Sequence, residues 1–335
     1  MQSIINNGKI LSEKMIEIKN LTKRFGEITA IDDLTFSVKK GEVLGFLGPN
    51  GAGKTTTMRI LTCFMPATSG TATISGFDIF DHPKEVKKRI GYLPESPPLY
   101  NDMTVNEYLR FVGEIKGIER RKIRPALVRA LERCSLDDVA GRLIGNLSRG
   151  YKQRVGLAQA IIHNPDFLIL DEPTVGLDPK QIIEMRRLIK DLAGEQTIIL
   201  STHILPEVTA TCNRVIIINE GRIVAVDSPE GLSTKMRRSD KIGVRLSASP
   251  PDLHDKLKAV EGVLNVIKEE TGDGHYYIIE GSLDHDIRSE LARCAVLNNW
   301  GLLEMKRHSM SLEDIFLKLT TKDDAESVEG PREED

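Results

Sequence analysis

A glycine-rich segment of eight residues lies between two contrasting patterns in the first part of the chain. It reads Gly-Pro-Asn-Gly-Ala-Gly-Lys-Thr over Gly48–Thr55 and matches the phosphate-loop pattern G-x-x-x-x-G-K-[ST] at every position. Residues 42–47 form an apolar run typical of a buried strand, and residues 55–61 are typical of the start of a helix. The alternative is a glycine-rich turn that binds nothing, but a chance match is expected only about once in fifty such chains.

The residues of this loop suit phosphate binding for separate chemical reasons. The glycines let successive backbone N–H groups point at phosphate oxygens, and the following helix N-terminus adds roughly half a positive charge. We expect Lys54 to lie against the β- and γ-phosphates and the hydroxyl of Thr55 to bind Mg²⁺. The residues expected to contact the nucleotide are Gly48, Pro49, Asn50, Gly51, Ala52, Gly53, Lys54, Thr55 and Thr56. The loop predicts a nucleoside triphosphate site but does not indicate which kind of protein uses it.

Length and composition limit the class of protein. A chain of 335 residues exceeds what one core comfortably accommodates, so we expect two domains. The hydrophobic content of 40% and the charged content of 28% are typical of a globular protein. The net charge of −3 gives no reason to expect a nucleic-acid partner. Four scattered cysteines without a CxxC pair predict reduced thiols, and no uncharged run is long and apolar enough for a membrane span.

The nucleotide-binding part is predicted to extend over residues 15–232, after an extension at residues 1–14 that lacks the pattern of a signal peptide. An alternating edge strand at residues 15–21 and a second strand at 34–38 predict a small antiparallel layer. Residues 96–163 predict a helical subdomain, because apolar residues recur there at helical spacing. Continuous apolar runs separated by helices then predict a parallel sheet that is covered on both faces.

A second α+β module is predicted for residues 233–320. Its order of patterns, β-α-β-β-α-β, matches the ferredoxin-like arrangement. A capping box at residues 311–314 predicts a final helix. Residues 321–335 are acidic and lack apolar anchors, so we expect them to be disordered.

Two carboxylates follow the apolar run at residues 167–170. Asp171 is suited to hold a hard cation at the end of a strand, and Glu172 to orient or deprotonate an attacking water. Many strands end in acids, so this pattern has meaning only beside a phosphate loop. His203 follows the next apolar run in the same way, and we expect it to contact the γ-phosphate. The alternative for His203 is an ordinary structural histidine.

Two further features have equally ordinary alternatives. Phe25 lies in the predicted connection between the first two strands, where its ring is either an aromatic face for adenine or part of the core. Ser148 and Gly150 precede an amphipathic helix and form either a helix cap or a second anion-binding corner. Because the phosphate loop and the carboxylates occupy one side of a nucleotide, this corner would serve the opposite side, in a site completed by another molecule.

Taken in order, these motifs resemble the nucleotide-binding subunit of an ATP-binding cassette (ABC) transporter, a phosphate-loop ATPase. The resemblance covers residues 15–230 and extends to exporters of the ABC-2 class, which include gliding-motility, drug-efflux and sodium-efflux types. The motifs that carry it are Phe25, Gly48–Thr55, Tyr92-Leu93-Pro94-Glu95, Leu147-Ser148-Arg149-Gly150-Tyr151, Leu170-Asp171-Glu172-Pro173-Thr174, Gly176-Leu177-Asp178, Thr202-His203, and the segment from Met310 to Phe316.

The resemblance implies roles for individual residues. ATP and Mg²⁺ would be the cofactors, with Phe25 stacking on adenine. Ser148 and Gly150 would contact ATP held by the partner subunit, and Asp178 would couple the two sites. The chain departs from the family pattern at Arg149, where glycine is usual, and at Tyr151, where glutamine is usual. Glu95 replaces the usual metal-contacting glutamine and would add a negative charge near Mg²⁺.

The resemblance also implies an assembly. Two copies, or one copy and a second ATPase subunit, would enclose two ATP molecules and drive a separate ABC-2 permease at the cytoplasmic face of the membrane, with residues 96–104 near the permease. The transported substrate is not encoded in these motifs. The rival function is a soluble cassette ATPase acting on ribosomes or nucleic acid, against which the single cassette and acidic balance argue. The C-terminal module would serve in dimerisation or regulation, with small-ligand sensing as the alternative.

Overall fold

The computed structural model describes residues 14–235, 240–270, 275–282 and 286–308, together with Phe316 and Thr320. The described residues up to Pro229 form one compact unit, and those from Glu230 to 308 form a second. The predicted N-terminal extension, the helix after the capping box at 311–314 and the acidic tail at 321–335 lie outside the described residues, apart from Lys14, Phe316 and Thr320. No helix within the described ranges has both the length and the apolar character needed to cross a membrane.

The first unit contains two sheets and several helices. In chain order its elements are β1 (Lys14–Phe25), β2 (Ile28–Lys39), β3 (Val43–Leu47), α1 (Lys54–Leu61), β4 (Ser69–Ile74), β5 (Phe77–Asp78), α2 (Pro83–Arg89), β6 (Ile90–Leu93), α3 (Val105–Ile115), α4 (Arg120–Cys134), α5 (Arg149–Ile161), β7 (Phe167–Asp171), α6 (Pro179–Ala193), β8 (Thr197–Thr202), α7 (Leu205–Thr211), β9 (Arg214–Asn219) and β10 (Arg222–Asp227).

The larger sheet has the strand order β10-β9-β3-β8-β7-β6. Its strands are parallel except for β10, which pairs antiparallel with β9. Every residue of β3, β7 and β8 is buried, which explains their continuous apolar runs and confirms the predicted covered parallel sheet. Because parallel strands end at the same edge, the loops after β3, β7 and β8 lie together there.

The smaller sheet has the order β2-β1-β4-β5 and is antiparallel. The prediction that residues 15–21 form an edge strand was wrong, because β1 pairs with β2 on one side and β4 on the other. Alternation of apolar and polar residues indicates that one face of a strand is buried. It does not indicate whether the strand pairs with one neighbouring strand or with two. The predicted connection is also shorter: β1 reaches Phe25, and only two residues, with Gly26 at φ 58°, separate it from β2.

The core of this unit lies between the two sheets. Phe36 of β2 contacts Phe46 of β3, with ring centroids 5.6 Å apart. Buried side chains of α1, among them Met58 and Ile60, belong to the same cluster. The start of α1 is thereby held at the edge where β3, β7 and β8 end.

Helices α3, α4 and α5 form the predicted helical segment. A capping box between Thr104 and Glu107 starts α3, and the helix buries Tyr108 and Val112. Ile115, at the end of α3, is exposed and contributes nothing to the core. Helix α5 packs closely on β6: a Cβ added to Gly91 would lie 2.2 Å from the carbonyl oxygen of Ala160. The fit of α5 against the parallel sheet therefore depends on glycine at position 91.

The second unit is an antiparallel sheet with two helices. Its elements, preceded by α8 (Pro229–Lys235), are β11 (Asp240–Leu246), α9 (Leu253–Lys258), β12 (Val263–Glu270), β13 (His275–Gly281), α10 (Arg288–Leu297) and β14 (Leu302–His308). The strand order β12-β13-β11-β14 places the first and third strands at the centre, and this element order is that of the ferredoxin-like arrangement. Trp300, Ile279 and Leu257 belong to its separate core.

Replacing Gly91 by alanine tests the contact between α5 and β6. We expect Gly91→Ala to lower the free energy of unfolding by about 1–3 kcal/mol, because the new methyl group would overlap a backbone carbonyl that is fixed by its helix. Gly194→Ala, at the exposed end of α6 where no atom lies within 4 Å, is the control and should change it by less than about 0.5 kcal/mol. Urea denaturation measures both; equal effects would contradict the tight packing.

Candidate functional site

The phosphate loop joins β3 to α1 and is shaped by three glycines. Gly51 and Gly53 have φ values of 82° and 102°, in the left-handed region that favours glycine. Added Cβ atoms would lie 2.5 Å from the Ile218 carbonyl oxygen at Gly48 and 2.6 Å from the Ala30 carbonyl oxygen at Gly53. The glycines of the motif are therefore required for two reasons: the backbone conformation favours glycine, and nearby backbone segments of the same chain leave no room for a side chain.

Lys54, the first residue of α1, is only 6% exposed. Its Nζ atom donates hydrogen bonds to the carbonyl oxygens of Gly48 at 2.7 Å and Pro49 at 3.1 Å, and lies 3.5 Å from Glu172 Oε1. Burial lowers the pKa of Lys54, while the Glu172 carboxylate acts in the opposite direction. The lysine thus lies across the phosphate loop with its ammonium group beside an acid of the neighbouring strand.

Asp171 is the last residue of β7 and is 1% exposed. Its Oδ1 atom has no hydrogen-bond partner among the described residues. Burial raises the pKa of Asp171, and the hydroxyls of Ser201 and Thr55 act against that change. A buried carboxylate oxygen without a donor is costly unless a ligand satisfies it, so this position is a candidate for ligand binding.

Glu172 and His203 contact each other at the ends of β7 and β8. The Glu172 carboxylate lies 2.9 Å from His203 Nδ1, and the Glu172 N–H donates to the Ser201 carbonyl oxygen at 2.9 Å. Glu172 is 6% exposed and has a φ of 50°, which is uncommon for a residue other than glycine. The histidine side chain is 42% exposed, so the pair connects the buried strand ends to the surface.

Lys54, Glu172 and His203 line one cavity of about 400 Å³, whereas Asp171 is not part of its lining. The structure brings together most of the predicted residues of the phosphate loop with Glu95, Glu172 and His203. Its lining also includes Ala30 and Val175, which were not predicted. Neither residue type indicates a nucleotide site, and only the position of Val175 close to Glu172 in the chain could have suggested it. The lining is Ala30, Asn50, Gly51, Gly53, Lys54, Thr55, Thr56, Glu95, Glu172, Val175 and His203. A larger cavity of about 540 Å³ between α4, α5 and α6 contains none of the predicted residues.

Three other predicted residues lie at helix ends away from this lining. The Ser148 hydroxyl accepts a hydrogen bond from the Tyr151 N–H at 3.4 Å at the start of α5. Asp178 similarly accepts from the Gln181 N–H at 2.9 Å at the start of α6. A Cβ added to Gly150 would meet the Gln181 side chain. Within a single chain, Ser148 and Asp178 therefore act as N-caps of α5 and α6.

Phe25 also lies outside the cavity lining. It ends β1, is 47% exposed and has Lys23 Nζ 5.0 Å from its ring centroid. Directly opposite, Ile28 pairs with it in the hairpin and is also exposed. This exposure argues against the interpretation of Phe25 as a core residue. It leaves an accessible apolar surface at the end of the hairpin, on which a planar ring can stack.

Comparison with known proteins identifies the family of this site. Residues 31–175 match the model of the ABC transporter family. The bacitracin transport ATP-binding protein BcrA of Bacillus licheniformis is 38% identical, with 91% of this chain and 97% of the relative covered. A Nod factor export ATP-binding protein I of Burkholderia orbicola is 33% identical, with 93% and 99% covered.

Solved structures show the same likeness over the nucleotide-binding unit. One is cbiO1 from Clostridium perfringens, part of the ABC transporter complex cbiONQ, at 26% identity and a TM-score of 0.62, with 67% of this chain and 92% of that chain covered. Another is a dimeric cassette, MJ0796, bound to ADP and Pi, at 26% identity and a TM-score of 0.59, with 64% and 98% covered. The phosphate-loop ATPase fold, the nucleotide site and these relatives agree: the chain belongs to the ABC transporter family, as an ATP-binding, ATP-hydrolysing subunit.

Proposed function

We propose that this ATPase works as a dimer that encloses ATP between two copies and drives export through a separate membrane permease. The contact of Glu172 with both Lys54 and His203, at the edge of the phosphate loop, carries the proposal. It brings a phosphate-binding cation, a base and a hydrogen-bonding imidazole to one cavity, and these are the groups that hydrolysis of a terminal phosphate requires.

ATP would contact the chain at two places, one in the cavity and one outside it. The N–H groups of the phosphate loop and Lys54 hold the β- and γ-phosphates, where the N-terminus of α1 adds favourable electrostatic potential. Phe25, outside the lining, supplies the stacking surface for adenine. A stack of this kind contributes about 1–3 kcal/mol per base and is indifferent to most base substituents.

Hydrolysis would depend on Glu172. Its carboxylate accepts a proton from the attacking water, and its contact with Lys54 holds it beside the phosphate loop. His203 donates a hydrogen bond toward the γ-phosphate, while its other nitrogen keeps contact with Glu172. In this scheme the position of the imidazole, and with it that of the Glu172 carboxylate, depends on whether the γ-phosphate is present.

Mg²⁺ fits the residues that are present. Asp171 offers a buried carboxylate oxygen that has no hydrogen-bond partner in the described part of the chain, and it interacts with Thr55 and Glu95, which line the cavity. The described residues contain no cluster of three or more His, Cys, Asp or Glu side chains that could hold a metal alone, so phosphate oxygens and water would complete its ligands. When bound, Mg²⁺ would offset the charge that builds up on the phosphates.

The second copy would close the site. Ser148 and Gly150 stand at the N-terminus of α5, where N–H groups favour an anion, yet they do not line the cavity of their own chain. In a dimer they would reach the γ-phosphate bound by the partner, and Asp178 would link the two sites. The dimeric structure of a similar cassette supports this arrangement.

The membrane partner would be a permease of the ABC-2 class, with this subunit bound at its cytoplasmic face. Similar proteins act in bacitracin transport and Nod factor export, as their names state, which supports an export function. Residues 96–104, between β6 and α3, would meet the permease. For the second unit we propose a role in dimerisation or regulation.

Glutamine at position 172 should separate binding from hydrolysis. We expect Glu172→Gln to lower kcat by at least about 10²-fold, because the amide cannot take the proton from water, while ATP binding persists. With ATP the variant should elute as a dimer in size-exclusion chromatography.

Adding Ser148→Phe to Glu172→Gln provides the matched control. The double variant should bind ATP through the phosphate loop and remain a monomer, because the bulky ring blocks the partner's anion-binding corner. A fully active wild-type monomer would contradict the proposed dimer.

Asparagine at position 171 should stabilise the nucleotide-free protein while weakening Mg²⁺-ATP binding. Burial raises the pKa of Asp171, so its ionised form destabilises the fold at neutral pH. We expect Asp171→Asn to raise the thermal midpoint at pH 7.5 by about 2–4 °C, the shift that 1 kcal/mol produces.

The effect of Asp171→Asn should depend on pH. Because the folded pKa lies above the value of 3.8 for an unperturbed aspartate, wild type gains stability as pH falls through the folded pKa. The difference between the two proteins should therefore narrow toward pH 3.8 in melting curves. Asp166→Asn, at an exposed acid before β7, is the control and should show no such trend. A lower midpoint for Asp171→Asn at pH 7.5 would disagree with the assignment.

Purification from detergent-solubilised membranes distinguishes transport from the rival function. A tagged chain should recover a polytopic membrane protein in stoichiometric amount, and the recovered pair should couple ATP hydrolysis to export. Recovery of ribosomal proteins instead would favour an ATPase that acts on ribosomes.

A further inference from the structure

Glu207 is a buried carboxylate beside the site that none of the roles above uses. It belongs to α7 and is 1% exposed. Burial raises the pKa of Glu207, which shows that the surroundings disfavour its charge. An acid in such a position is costly to keep unless its oxygens have well-placed partners.

Both oxygens of Glu207 have such partners, one on the loop after β7 and one at the last residue of β8. Oε1 accepts a hydrogen bond from the hydroxyl of Thr174, and Oε2 accepts one from the hydroxyl of Thr202 at 2.9 Å. The Thr202 oxygen in turn accepts from the Ile204 N–H at 3.0 Å. One carboxylate therefore connects the loop after β7 with the end of β8, where the loop that carries His203 begins.

These two loops carry the groups that act on ATP in the proposed function. Thr174 lies two residues after Glu172, and Thr202 immediately precedes His203. On the cavity side, Glu172 and His203 meet at 2.9 Å. Glu207 joins the same two loops on the buried side, so each loop is held at two points.

The backbone at Glu172 needs such a restraint. Its φ of 50° is disfavoured for a residue with a Cβ and persists only when surrounding contacts impose it. The Glu172 N–H bond to Ser201 fixes one side of the turn, and the Thr174–Glu207 bond fixes the residues that follow. Loss of the second contact would let the carboxylate of Glu172 move relative to the phosphate loop, and displacements of about 1 Å can cost on the order of 10²-fold in rate.

We propose that Glu207 is a positioning residue that holds Glu172 and His203 in the geometry needed for hydrolysis. It does not line the nucleotide cavity, and its hydrogen bonds to Thr174 and Thr202 connect it to the chain segments that carry Glu172 and His203. This inference rests on the proposed roles of Glu172 and His203. It predicts that disruption slows hydrolysis and leaves ATP binding nearly intact, because Lys54 and the phosphate loop keep their own contacts.

Alanine and glutamine substitutions separate geometry from simple loss of stability. We expect Glu207→Ala to lower kcat at least about 10-fold while the Kd for ATP, measured with a fluorescent analogue, changes less than about 3-fold. Glu207→Gln should recover most of the rate, because its amide can accept from one threonine hydroxyl and donate to the other. Thr174→Val and Thr202→Val each remove one connection and should give intermediate rates.

Glu42→Ala is the matched control. Glu42 is also a largely buried glutamate, and its carboxylate accepts hydrogen bonds from Arg214 and from the Lys39 N–H at the opposite end of the parallel sheet. Its loss should lower the thermal midpoint but leave kcat per folded molecule within about 2-fold of wild type, as expected for a structural contact remote from the site.

Hydrogen exchange provides a readout that does not require turnover. In the nucleotide-free full-length protein, Glu207→Ala should speed amide exchange in peptides covering residues 172–178 and 202–206, and Glu42→Ala should not. Wild-type kcat in Glu207→Ala, or an equal loss in Glu42→Ala, would overturn the positioning role, as would unchanged exchange. A wild-type protein that binds ATP without hydrolysing it would instead contradict the proposed function.

Discussion

Parallel pairing of β3, β8 and β7 is the constraint on which the rest of the nucleotide site depends. The register aligns Leu47 with Thr202 and Asp171 with Ser201, so the three strands end at one edge within a residue of each other. The phosphate loop, the two acids and His203 each begin where a strand stops. Since these strands are buried on both faces, a shift in register would move apolar side chains and disrupt the site at the same time.

Charge at this edge is unbalanced within the single chain. Lys54 interacts with the carboxylates of Asp171, Glu172 and Glu95, and Asp171 Oδ1 has no hydrogen-bond partner among the described residues. Such an arrangement costs stability in the nucleotide-free protein, and the proposed binding of a metal ion and phosphates would offset that cost. The excess of carboxylates over cations at this edge is therefore explained by ligand binding and not by stability of the nucleotide-free fold.

Two of the departures from the family pattern, Arg149 and Tyr151, have structural explanations within one chain. A Cβ added to Gly176 would lie 2.3 Å from Arg149 Cζ, so the Arg149 guanidinium packs against the loop that follows Glu172. The Tyr151 hydroxyl donates to Asp138 at 2.8 Å, and the Tyr151 N–H is the donor to Ser148. These substitutions thus connect the start of α5 to its own chain and leave Ser148 and Gly150 in place.

The amino-acid sequence by itself determined the local chemistry. The spacing of glycines, Lys54 and Thr55 specifies a phosphate loop in any setting, and continuous apolar runs specify strands that are covered on both faces, because these signals depend only on residues close in the chain. Tertiary structure alone decided that β1 is central, that Phe25 ends a strand, and that Glu207 lies between Thr174 and Thr202. Those features arise from pairing and packing between distant segments, and neither alternation nor an isolated glutamate five residues after a threonine contains that information.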